Sequence, residues 1–92
     1  MANELTFEWD ETKRASNFAK HGVDFAAVES LEWDTAIAAQ DDRFQYGEIR
    51  WIAYGILNAR LHCVAFTRTG NAIRVISFRK ANAREVKRYA QR

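Results

Sequence analysis

Residues 74–89 read RVISFRKANAREVKRY, with Arg74, Arg79, Lys80, Arg84, Lys87 and Arg88 set against one acid, Glu85. A guanidinium group presents paired N–H donors that match two phosphate oxygens, and an ammonium group adds a point charge. The run therefore suits a phosphate ester or an anionic polymer. It equally suits strand-end arginines paired with acids from elsewhere in the chain, since a basic side chain on a half-buried sheet needs a partner or a route to water. A second candidate pair is Lys20–His21, in KHG (20–22). An imidazole can carry a proton and a lysine can hold developing negative charge. Both also complement the negative end of a helix, which is the simpler role. Glu85 follows Asn82 by three, the spacing of a capping box, and Tyr89 lies one helical turn beyond it. His62 stands in a strand-like run. Two histidines without paired spacing or a carboxylate motif make a poor metal site. Gly-rich phosphate loops, GxSxG and HExxH are absent from the sequence, so neither metal nor other cofactor is expected.

These residues need elements to hold them. TFEWD (6–10) alternates like a short strand, Asp10 can cap the run ETKRASNFAKH, and Gly22 suits the position just past its end. Asp24 can cap a second helix over about 25–33, with Phe25, Val28 and Leu31 three apart. The period then changes to two. TAIAAQ (35–40) is a weak strand and DDRFQYG (41–47) a polar loop, followed by EIRWIAYGIL (48–57), LHCVAFT (61–67) and AIRVISFR (72–79). NAR and RTGN are hairpin-length connections, so the strands form an antiparallel meander. Strict alternation in the last strand puts Ile73, Val75, Ser77 and Arg79 on one face and Arg74, Ile76 and Phe78 on the other, neither purely apolar. A final helix begins near residue 83. The order β-α-α-β-β-β-β-α predicts an α+β fold with helices on one sheet face.

The chain has 92 residues, 48% of them hydrophobic, enough for a core in a single domain spanning 1–92. The one cysteine, Cys63, permits no internal disulfide and reads as a small buried apolar residue. No apolar run approaches the length of a membrane span. The opening MANELTFEWD is acidic and unlike a signal peptide, so the expected compartment is the cytoplasm. A net charge of +2 conceals a division: residues 1–50 hold five Lys/Arg and eleven Asp/Glu, net −6, whereas residues 68–92 hold eight Lys/Arg and one acid, net +7. Either the two regions pair within the fold, or one meets an anion and the other a basic partner.

FEWDETKRASNFAKHGVDF, EIRWIAYG and IRVISFRKANAREVKRY together resemble the BrnT family of bacterial type II toxins, over residues 7–89. The resemblance implies a RelE-like fold, a small antiparallel sheet packed against N-terminal helices and a C-terminal helix. It implies a ribonuclease that inhibits translation. It also implies a BrnA-type antitoxin partner with a ribbon-helix-helix domain, through which alone operator DNA would be bound. Matching positions make Lys20, His21, Arg50, Ser77, Arg79, Glu85 and Tyr89 the candidate catalytic residues, with Arg74, Lys80, Arg84, Lys87 and Arg88 as RNA contacts. The expected chemistry is metal-free attack of a 2′-hydroxyl on the adjacent phosphate, leaving a 2′,3′-cyclic phosphate and a 5′-hydroxyl. Two other readings compete: a non-catalytic nucleic-acid-binding or antitoxin-paired module, and a structural partner whose basic tail binds an acidic protein.

Overall fold

A computed structural model describes residues 4–43, 45 and 47–91. Met1–Asn3 of the opening segment, and Phe44 and Tyr46 of the expected polar loop, lie outside the described residues. The elements are β1 (Thr6–Glu8), α1 (Glu11–His21), two 3₁₀ turns (Phe25–Ser30 and Trp33–Thr35), β2 (Ile37–Asp41), β3 (Arg50–Leu57), β4 (Arg60–Thr69), β5 (Ala72–Lys80) and α2 (Ala83–Ala90). The strands form one five-stranded sheet in the order β1-β5-β4-β3-β2. The β2–β5 meander is antiparallel, and β1 pairs parallel to β5. This is the expected α+β class.

The helix boundaries follow their caps. Asp10 accepts from the Lys13 N–H at 3.1 Å, and Gly22 takes the left-handed conformation (φ 72°) that ends α1. At α2 the capping box closes both ways: Asn82 Oδ1 accepts from Glu85 N at 2.8 Å, and Glu85 Oε1 accepts from Asn82 N at 2.9 Å. The expected helix over 25–33 is instead two 3₁₀ turns. Phe25, Val28 and Leu31 recur every three residues, which is the period of a 3₁₀ turn rather than of an α-helix, and all three are buried.

The core lies between the sheet and the α1/3₁₀ layer. Phe25, Val28, Val64, Ile73, Val75 and Phe78 are each at most 1% exposed, and burying each such side chain contributes roughly 1.5–3 kcal/mol. The FEWD motif turns out to be a folding device. Phe7 stacks on Trp33 at 5.8 Å, Trp9 meets the edge of Phe25 at 6.3 Å, and Asp10 caps α1.

The faces of β5 differ from strict alternation. The β4–β5 register shifts between Ala65 and Phe66: Phe66 is opposite Val75, yet Ala65 is opposite Ser77. The extra residue, Ile76, forms a bulge that reverses the phase of everything after it. Ile73, Val75 and Phe78 therefore all reach the core, while Ser77 and Arg79 share the opposite face. This resolves the mixed faces read from the sequence.

The expectation that all helices share one sheet face is also corrected. α2 crosses the outer face, where Glu85 meets Tyr54 and Arg79. The first layer is already filled by α1 and the 3₁₀ turns, so α2 finds its apolar support on the other side.

Candidate active site

Register and bulge together build the site. Tyr54 on β3 is opposite Cys63 on β4, which is opposite Arg79 on β5. Directly opposed residues in a sheet point to one face, so the three side chains form a row across the outer surface. Glu85, in the first turn of α2, closes over it. Arg79 Nη1 donates to Glu85 Oε1 at 2.8 Å and Nη2 to Oε2 at 2.9 Å, a two-pronged ion pair. The Tyr54 hydroxyl donates to Oε2 at 3.0 Å. With the Asn82 N–H, the Glu85 carboxylate accepts four hydrogen bonds. Arg79 also donates to the Lys80 carbonyl at 3.3 Å. A guanidinium has five N–H donors, so Nε–H and one Nη2 N–H face outward from this pairing. The Arg79 side chain is 34% exposed and that of Glu85 11%, so solvent or a ligand reaches the arginine more readily than its partner.

These contacts set the charge states. Arg79 holds the Glu85 carboxyl at about 2, helped by the Asn82 and Tyr54 bonds and opposed by burial. The same pairing raises Arg79. Burial pushes the Tyr54 hydroxyl up, and the anionic Glu85 adds to this. Burial likewise raises the Cys63 thiol. A carboxylate held so low is a weak proton acceptor in this arrangement. On the far side of the molecule Arg14 similarly holds Asp24 at about 2. Both carboxyl groups titrate lower in the fold than when unfolded, so each stabilises the protein above its unfolded value, and that stabilisation is lost as the pH falls from about 4.5 towards 2. The urea midpoint is expected to drop across this window, and Glu85→Gln to flatten the drop. An identical acid profile for wild type and Glu85→Gln would remove the Arg79–Glu85 pair as its source.

Not all the residues singled out from the sequence come together. Arg79 and Glu85 are joined directly. Ser77 is opposite Ala65, one step from Arg79 on the same face. Arg50 sits on the Tyr54 side of β3, two alternations away, and bonds Glu48 at 3.2 Å. Tyr89 lies one turn along α2 from Glu85, and its hydroxyl donates to the Thr35 carbonyl at 3.2 Å. Lys20 and His21 end α1; among the described residues no hydrogen bond or ion pair ties either to the Arg79–Glu85 pair. His62 is buried against the Phe78 ring with Nδ1 2.8 Å from the Arg60 carbonyl, a structural placement.

The basic run divides by helical period. Arg84, Lys87 and Arg88 form an exposed stripe on α2, while Glu85 and Tyr89 turn towards the sheet. Lys80 is exposed at the end of β5. Arg74 is exposed and meets Glu8 at 3.3 Å, an ion pair between the acidic and basic halves. A pair this open to water contributes little.

Two residues escaped the sequence reading. Tyr54 was visible only as an alternate position within EIRWIAYG, and its role depends on which strand lies beside it. Asn17, within the FEWD…KHGV pattern, is 8% exposed. β1 pairs only with Ala72–Arg74, leaving the later edge of β5 without a strand partner. Asn17 fills the gap: its amide nitrogen donates to the carbonyls of Phe78 (2.8 Å) and Val23 (3.1 Å), and its oxygen accepts from Phe78 N (3.2 Å). It fixes the backbone immediately before Arg79.

No curated protein matches the chain. A family model described as "Ribonuclease toxin, BrnT, of type II toxin-antitoxin system" matches residues 9–85. That span contains the whole Tyr54–Cys63–Arg79–Glu85 arrangement and stops short of Tyr89. The match covers most of the chain, and the protein belongs to the BrnT family of ribonuclease toxins of type II toxin–antitoxin systems.

Proposed function

We propose that this chain cuts RNA internally without a metal, by attack of a ribose 2′-oxygen on the adjacent phosphorus. The P–O5′ bond breaks. The 2′-hydroxyl proton leaves to a base, and a proton is delivered to the departing 5′-oxygen, so a cyclic phosphate and a 5′-hydroxyl result. The observation that carries this reading is Arg79, oriented by the two-pronged Glu85 contact with two donors to spare. A cation fixed in advance where the phosphorane gathers charge lowers the barrier without reorganisation. Ser77 lies beside it on the same face, Arg50 lies farther off on that face at the start of β3, and Lys80, Arg84, Lys87 and Arg88 track the RNA backbone. Glu85 acts as positioning residue, and His21 and Tyr89 are the candidate proton carriers. Lys20 adds positive charge at the end of α1.

The antitoxin is proposed to be of the BrnA type, a ribbon-helix-helix protein that alone contacts operator DNA, with toxin and antitoxin meeting in the cytoplasm. The second reading, a nucleic-acid-binding module without catalysis, draws on the same pair: Glu85 occupies half of the Arg79 fork. Incubating the partner-free chain with long RNA in EDTA at neutral pH separates the two. Fragments ending in cyclic phosphate support the enzyme. RNA that is retained in a salt-dependent manner and left intact, free or on ribosomes, supports the module, because phosphate contacts release counterions.

A further inference from the structure

A cleft of about 770 Å³ opens between α2 and the outer face of β2–β3. Its floor is Ile37, Ala39 and Ile52, and Tyr89 forms a wall. Tyr54 and Glu85 line it while also belonging to the Arg79 cluster. The cleft thus adjoins the Arg79 cluster through Tyr54 and Glu85, and Asp41, Asp42 and Arg43 line its far end. Another recess, about 610 Å³ between β1 and the 3₁₀ turns, shares no residue with the cluster.

From this adjacency we infer that the α2/β2–β3 cleft is a nucleobase subsite, seating the base of a nucleotide that flanks the scissile phosphate. The inference rests on the proposed ribonuclease function. A phosphate held by Arg79 would lie next to the Tyr54–Glu85 wall of the cleft, so a neighbouring base has a recess on the other side of that wall. An apolar floor with phenol rings at the wall suits a flat aromatic ring that stacks, and single-stranded RNA is held largely by such stacking. The volume lies in the range of small-molecule sites and accommodates one nucleoside. Arg88 at the rim is placed for the next phosphate along the chain.

The test fills the cleft without removing any contact. Ala39 is exposed on β2, opposite Ile52, so Ala39→Met adds bulk to the floor and leaves the core untouched. The substrate is an RNA oligonucleotide with one mapped cut, together with versions carrying an abasic nucleotide on its 5′ or 3′ side. One abasic version is expected to lower wild-type kcat/KM about tenfold or more, the range that stacking of one base supplies. Ala39→Met is expected to lose a similar factor on intact RNA and nothing further on that abasic RNA, since both changes delete the same contact. Abasic RNAs cut as fast as intact RNA, or losses that multiply, overturn the subsite. So does an Ala39→Met variant that cuts RNA normally but no longer binds its antitoxin, which would assign the cleft to that partner. A wild-type chain inert towards all RNA, free or on ribosomes, removes the functional reading itself before any variant is made.

Discussion

Replacing Arg79 with alanine is expected to reduce RNA cleavage by about two to three orders of magnitude, the loss found when one preorganised donor to a developing anion is removed. The substitution deletes the two donors left outside the Glu85 pair and also the group that holds Glu85 ionised at about 2. The α2 capping box survives, because Asn82 and Glu85 bond each other independently of Arg79. The variant should therefore fold, and circular dichroism checks this before any rate is measured. Arg79→Lys is expected to recover little. A lysine keeps the charge but cannot engage both carboxylate oxygens and a phosphate with one planar fork. Cleavage by a folded Arg79→Ala variant at the wild-type rate would remove Arg79 from the mechanism. The reading of Glu85 as an orienting group would fall with it.

The largest effect on stability is expected at Asn17. Its side chain makes three hydrogen bonds to buried backbone, two of them to Phe78 and one to Val23. Alanine leaves those groups unpaired where water does not reach them easily. The cost is about 2–3 kcal/mol, which for a domain of this size lowers Tm by roughly 10–20 °C. Asn17→Asp should help little: a carboxylate can still accept from the Phe78 N–H but cannot donate to the two carbonyls. A thermal melt of Asn17→Ala within about 2 °C of wild type would show that the β5 edge finds other partners. Because Asn17 holds the residue next to Arg79, cleavage measured well below the melting point is also expected to fall.

Both residues show why the site was only partly legible in the sequence. Arg79 stood out by type, yet strict alternation placed it on the face of Ile73 and Val75. The Ile76 bulge moved it to the outer face, and a bulge is a property of the pairing with β4. Asn17 carried no chemical signal, because its role is created by the point at which β1 ends beside β5. Tyr54 was an ordinary strand aromatic until register set it beside Cys63 and Arg79.

The sequence by itself determined what is local. Asp10, Gly22 and Asn82 act within one helical turn, so both ends of α1 and the start of α2 were readable. Hairpin lengths and period-two runs were enough for the β3–β5 meander, and the Arg84–Lys87–Arg88 stripe follows from helical spacing alone. The three-residue spacing of Phe25, Val28 and Leu31 was present too, though as the signature of 3₁₀ turns. Only the tertiary structure decided which side of the sheet α2 would cross. That choice depends on which face the other helices had already covered. It is the choice that brings Glu85 onto Arg79 and opens the cleft beside it.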